Sequence, residues 1–333
     1  MADHDNGRLI DAFQRPIRYL RISITDHCNL NCLYCQPDRL IPKLSHDAVL
    51  SYEEILRLAG VGIGLGIKKI RITGGEPLVR RGILDFLTRL GRLPELEELC
   101  LTTNGVVLAR YLEPLRQAGI SRLNISLDTL DRQKFHRLTG VDAWERVWKA
   151  IMGAWQAGFA PIKINVVAMR GINEDEFIDL ARLSLDYPFH IRFIEYMPIG
   201  RNDLMQGQAP LLTPQIMAAL APLGRLEPLP GAVLDGPARR FRLPGAKGEV
   251  GFISPISHHF CASCNRLRLT ASGALRPCLL SAHQIDIKTP LRGGADDSAL
   301  AGFIVQAARF KGASHHLAYD GVPVNGQMSA IGG

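Results

Sequence analysis

Six short β-branched segments alternate with helical ones over the first two hundred residues. That alternation constrains the fold more than any other feature of the chain. The segments are 17–25, 69–73, 98–103, 122–127, 161–169 and 190–197, each rich in Ile, Val, Leu or Thr and ending in polar, Gly or Pro residues. Helical periodicity fills the gaps between them. Over 51–66, Ile55, Leu58 and Ala59 share a face, and Ser51 and Glu54 have the spacing of a capping box. The windows 106–119, 142–158 and 173–185 read the same way, with Gly119 and Gly158 at C′ positions. Such alternation predicts a parallel sheet with right-handed crossovers. Strand count leaves two topologies, an incomplete six-unit α/β barrel and a doubly wound open sheet.

The pattern changes near 198. Gly and Pro crowd 198–214, short strand-like pieces follow at 239–243, 249–253 and 266–270, and a helix is expected over 297–310. The expected organisation is an N-terminal arm at 1–16, an α/β unit at 17–198 and a smaller C-terminal unit at 199–333.

Composition narrows the function. With 333 residues, 47% of them apolar, the chain can build an ample core and is not a disordered polyelectrolyte. Lys and Arg exceed Asp and Glu by 39 to 32, a formal charge of +7. The cations occur singly or in pairs, as at Lys68-Lys69, Arg80-Arg81 and Arg239-Arg240, with no basic block. Scattered cations suit a compact anion such as a nucleoside triphosphate as well as a long polyanion. The first twenty residues are charged throughout, and the least polar window, 209–224, is broken by Pro210, Pro214 and Pro222. Neither a secretory leader nor a spanning helix is expected, and a reducing, cytoplasmic setting follows.

Seven cysteines in such a setting point to metal or to chemistry. Six fall in two groups, Cys28-x3-Cys32-x2-Cys35 and Cys261-x2-Cys264 followed by Cys278, while Cys100 stands alone in an apolar strand as an expected core thiol. Structural zinc would need a fourth ligand, for which His27, His258 or His259 are at hand. Three cysteines also suit an iron–sulfur cluster with one iron left open, as a catalytic centre requires. The first group directly follows the first strand, at the end where α/β folds place their sites. A second turn, Gly74-Gly75-Glu76-Pro77, follows the second strand, and its glycines would let backbone approach a ligand.

With its aromatic Tyr34 before the third cysteine, TDHCNLNCLYC resembles the defining motif of the radical S-adenosylmethionine (SAM) family, and GGEP resembles that family's site for the SAM amine. LTTNG, NISLDTLD, RFIEYMPIG, FISPISHHFCASCNRLRLTASGALRPC and the C-terminal Gly-Gly extend the likeness to the family branch that acts on GTP in molybdenum-cofactor biosynthesis. The resemblance implies a partial (β/α)6 TIM-like barrel whose C-terminal extension closes the mouth. It also implies two [4Fe–4S] clusters, one on Cys28, Cys32 and Cys35 that works with SAM, and one on Cys261, Cys264 and Cys278 that binds substrate. SAM contacts would come from Tyr34, Gly75, Ser126 and Met197, and GTP contacts from Arg21, Arg71, Thr102, Lys163, Arg266, Leu267 and Arg268. Arg266, Arg268, Gly332 and Gly333 would be needed for turnover.

The implied reaction removes the C3′ hydrogen of GTP through a 5′-deoxyadenosyl radical and gives 3′,8-cyclo-7,8-dihydro-GTP. An external one-electron reductant would feed it, and a cyclic pyranopterin monophosphate synthase would take the product. A monomer or homodimer is expected, with no nucleic-acid or membrane partner. Two other readings stand beside this one: a radical SAM peptide or protein modifier with an auxiliary cluster, and a zinc protein that binds nucleic acid. The first would carry more C-terminal cysteines, and the second lacks zinc-finger spacing and basic blocks.

Overall fold

The computed structural model describes residues 8–35, 42–197, 199, 209–231, 236–315 and 328–331. Its centre is one twelve-stranded sheet. The six expected strands are β1 (Tyr19–Ser23), β2 (Lys69–Thr73), β3 (Glu98–Thr103), β4 (Arg122–Ser126), β5 (Ile162–Ala168) and β6 (Phe189–Glu195), paired in parallel in chain order. The sheet stays open, as an incomplete barrel does. Helices cover its outer face, among them α1 (Tyr52–Gly64) and α5 (Trp144–Gln156). The capping box is present, with Ser51 Oγ accepting from Glu54 N at 3.1 Å and Ser51 N donating to Glu54 Oε2 at 2.6 Å.

Among the described residues, the segment after 198 forms no sheet of its own. Strands β7 (Glu227–Leu229), β8 (Arg239–Arg242) and β9 (Glu249–Ile253) extend the β6 edge, with β9 parallel to β6. Strands β10 (Arg266–Leu269), β11 (Ala274–Arg276) and β12 (Ile285–Asp286) extend the opposite edge, with β10 parallel to β1. Residues 254–265 therefore cross from one edge of the sheet to the other.

Alternation along the strands is the reverse of a simple globule. On β1, β2 and β10 the apolar members Leu20, Ile22, Ile70, Ile72, Leu267 and Leu269 join the buried hydrophobic core. The other face carries Tyr19, Arg21, Lys69, Arg71, Thr73, Arg266 and Arg268, all of which line a cavity. A period of two places each set on its own side. The concave interior of the sheet is thus polar and cationic.

Candidate active site

Both cysteine groups open into one cavity of about 1000 Å³. Strand register places them at its two ends. Cys28 follows the last residue of β1 closely, at the carboxyl end of the parallel strands. Arg266 opens β10 opposite Tyr19, the first residue of β1, so Cys264 lies at the amino end. β11 runs antiparallel to β10, with Arg276 opposite Arg268, and carries Cys278 back to that same end.

At the carboxyl end, the GGEP turn packs on the cysteine loop. Gly75 N donates to Thr25 O at 2.6 Å and Glu76 N to His27 O at 2.8 Å. A Cβ on Gly75 would stand 2.2 Å from His27 O, and one on Gly74 would stand 2.7 Å from Thr25 O. The glycines thus admit a neighbouring backbone as well as facing the cavity. Glu76 is fully buried and accepts from Leu78 N, Thr103 Oγ1 and Asn104 N, at 3.0, 2.9 and 2.6 Å. Burial lifts its carboxyl to about 7. Asn104 Nδ2 in turn reaches Asn29 Oδ1 at 2.8 Å and lies 3.6 Å from Cys28 Sγ. Tyr34 donates its hydroxyl to Asp128 Oδ2 at 2.7 Å, and Asp128 Oδ1 accepts from Val167 N at 2.8 Å. Burial raises Asp128 to about 6 and pushes Cys35 up to about 12. Tyr34, Gly75, Ser126 and Met197 all line this end of the cavity.

The middle and amino end are crowded with positive charge. Among the described residues, nine Lys and Arg side chains line the cavity against two carboxylates, Asp128 and Glu195. Glu195 is already engaged, accepting from Thr213 N at 2.8 Å, from Ile256 N and Ser257 N at 2.9 Å, and from the Ser257 hydroxyl. It fastens the crossing segment 254–265 to β6. Burial, with Arg71 and Arg266 nearby, lowers Arg21 to about 10. Burial, with Arg21 and Arg266, depresses Arg268 strongly. Like charges held together out of water favour an anion between them.

Among the cysteines of this end, burial alone would raise Cys264, but Arg266 and Lys311 pull its thiol down to about 6. Thiolate character is what an iron site needs from its ligands. Among the described residues no group of three or more His, Cys, Asp and Glu closes to the spacing of a single metal ion. A [4Fe–4S] centre gives each cysteine its own iron and takes more widely spaced sulfurs.

Two expected contact residues are placed differently from the others. Leu267 points its side chain out of the cavity, into the apolar layer with Leu20, Leu58 and Ile287, because β10 alternates and Arg266 and Arg268 take the inner face. Any substrate contact from Leu267 must come from its backbone. Lys163 is buried on the inner face, opposite Asn124, but is not among the residues lining the cavity. Burial, with Arg192, Arg71 and Lys69 close by, lowers its ammonium to about 7. Gly332 and Gly333 lie outside the described residues. Just before them, the short helix Met328–Ile331 puts Met328 on the cavity wall and buries Ser329. Cys100 is buried, but its surroundings are polar: its thiol donates to Glu98 Oε1 at 2.9 Å, and Glu98 pairs with Lys69 and Arg122.

Comparison with known proteins agrees with this geometry. Residues 22–184 match the Radical SAM superfamily and residues 189–317 match Molybdenum Cofactor Synthesis C. The chain is 48% identical to the GTP 3′,8-cyclase of Heliobacterium modesticaldum, over 98% of this chain and 100% of that one. It is also 48% identical to the GTP 3′,8-cyclase of Moorella thermoacetica, over 97% and 99%. The chain belongs to the GTP 3′,8-cyclase family. Membership in this radical SAM enzyme family brings SAM and a [4Fe–4S] cluster with it. Among solved structures, Streptococcus suis SuiB bound to S-adenosylmethionine superimposes with a TM-score of 0.61, covering 86% of this chain and 67% of that one. At 16% identity that likeness speaks for the fold alone.

Within the described residues, no helix is long and apolar enough to cross a membrane.

Proposed function

We propose that this chain is a GTP 3′,8-cyclase that holds SAM at the carboxyl end of its cavity and GTP between SAM and the second cysteine group. One observation carries the reading: a single cavity joins both cysteine groups and has buried cations between them. Cys28, Cys32 and Cys35 would hold the cluster that works with SAM. Cys261, Cys264 and Cys278 would hold a second [4Fe–4S] cluster, which would bind the substrate. Cofactor and cluster supply the one-electron chemistry that removes a hydrogen atom from the substrate.

The protein's share is placement and charge. Gly75, Ser126 and Met197, each at the end of a parallel strand, would orient SAM beside Tyr34. The Tyr34–Asp128 hydrogen bond holds the cysteine loop against β4 and β5. Arg21, Arg71, Arg266 and Arg268 would take the triphosphate, their mutual repulsion relieved by its negative charge. Thr102 faces the same cavity, and Lys163 would add charge from beneath. Gly332 and Gly333 would be needed for turnover, as they are in the family the chain resembles. A one-electron donor and a downstream synthase for the product complete the scheme, in the cytoplasm.

The test is an anaerobic incubation of reconstituted protein with SAM, dithionite and GTP. Formation of 5′-deoxyadenosine together with cyclised nucleotide is expected. No GTP-dependent 5′-deoxyadenosine would remove the reading.

A further inference from the structure

We propose that Asn124 and Asn165 form the subsite for the ribose hydroxyls of the nucleotide, an inference that rests on GTP being the substrate. Both side chains line the cavity, and the Oδ1 of each is buried with no hydrogen-bond partner among the described residues. Asn124 is only 7% exposed. Buried amide oxygens of this kind carry a desolvation cost that a ligand donor removes.

Register fixes their level in the cavity. Asn124 lies opposite Thr102 on β3 and opposite Lys163 on β5. Asn165 lies opposite Ser126 on β4, toward the carboxyl end. The pair therefore runs from the level of Thr102, proposed for the nucleotide, to the level of Ser126, proposed for SAM, where the two ligands would meet. The sugar of the nucleotide must reach this level, because its C3′ hydrogen is the one removed.

Chemistry narrows the occupant further. Phosphate oxygens have no proton to give an orphan amide oxygen, and the neutral amide offers no charge to attract them. A hydroxyl both donates and accepts, which matches a carboxamide's paired oxygen and NH2. Guanine N–H groups and the hydroxyl and amino groups of SAM are the other available donors, so the test varies the nucleotide's sugar and base separately with SAM held constant.

The experiment is equilibrium binding to the anaerobic, cluster-loaded protein with SAM present. GTP is compared with 2′-deoxyGTP, 3′-deoxyGTP and ITP, for wild type and for Asn124→Leu and Asn165→Leu. Wild type should prefer GTP over each deoxynucleotide by about threefold to tenfold, the usual worth of one hydrogen bond. Each variant should lose that preference against at least one deoxynucleotide while keeping the wild-type preference over ITP. Ratios within one variant cancel any inactive fraction, so partial misfolding does not blur the answer. Unchanged deoxynucleotide discrimination in both variants, or none in wild type, overturns the ribose subsite. Lost discrimination against ITP alone assigns the pair to the base and overturns it too. Failure of wild type to bind GTP at all refutes the substrate reading itself.

Discussion

Arg15 Nη1 donates to the carbonyl oxygen of Cys261 at 2.6 Å, joining the N-terminal arm to the second cysteine group. The same guanidinium reaches Gly312 O at 2.7 Å through Nη2 and Asp11 Oδ2 at 2.6 Å through Nε. Lys311 matches it from the other side, donating to Pro277 O at 2.8 Å and Arg266 O at 3.0 Å. Two buried cations thus hold the backbone beside Cys261, Arg266 and Cys278. Arg15→Ala should loosen this frame, and iron in anaerobically reconstituted protein should fall from about eight per chain toward about four, one cluster's worth. An unchanged iron count would show that the clamp does not hold the second site.

Lys163 gives a pH signature with two opposite signs. Its folded value of about 7 is depressed from 10.5. Between those values the unfolded chain binds the extra proton, so the lysine's contribution to stability rises with pH across that window. Bound triphosphate reverses the preference, since an anion favours the ammonium form. GTP affinity should therefore weaken as pH rises above about 7, and binding should take up protons in that same range. Calorimetry in two buffers of different ionisation enthalpy measures that uptake, and Lys163→Met should abolish most of it.

Gly75 and Gly60 make a matched pair. A methyl on Gly75 meets His27 O at 2.2 Å, whereas one on Gly60 in α1 meets nothing within 4 Å. Gly75→Ala should cost about 1–3 kcal/mol through overpacking and displace the loop that leads into Cys28. Gly60→Ala should stabilise by about 0.5–1 kcal/mol through helix propensity. Denaturant melts should move in opposite directions, and SAM binding should fall only in the first.

The two cysteine groups should separate functionally. Cys28→Ser should abolish SAM cleavage, while Cys278→Ser should chiefly impair GTP binding or its coupling to cleavage. Product analysis for 5′-deoxyadenosine, with and without GTP, distinguishes them. Wild-type SAM cleavage by Cys28→Ser would overturn the first assignment.

The parts of the fold that were legible are those that obey local rules. Ser51 and Glu54 announced α1 through a cap that the structure contains. Two helices gave weaker signals. Ile83–Gly91 starts after Gly82 with no side-chain cap, and Arg132–Thr139 is so polar that it buries only Phe135, Leu138 and Thr139. The placement of β9 and β10 on opposite edges depends on pairings with β6 and β1 that no local pattern encodes.

The site divides in the same way. Cysteine spacing was visible, but Asn104, Asp128 and Glu76 matter through partners remote in sequence, at Cys28, Tyr34 and Thr103. Alternation along β10 was legible as well. With Arg266 and Arg268 on one face of β10, Leu267 had to face the other.

The placement of β10 beside β1 also bears on how the chain is made. Tyr19 is synthesised early, yet its partner Arg266 emerges near the end. Until then one edge of the growing sheet exposes unpaired backbone N–H and C=O groups, a template for the wrong strand. Strand β10 therefore serves as a seal. A ribosome that stops before it releases a chain with an open edge, so premature termination should yield aggregates in place of a smaller soluble protein.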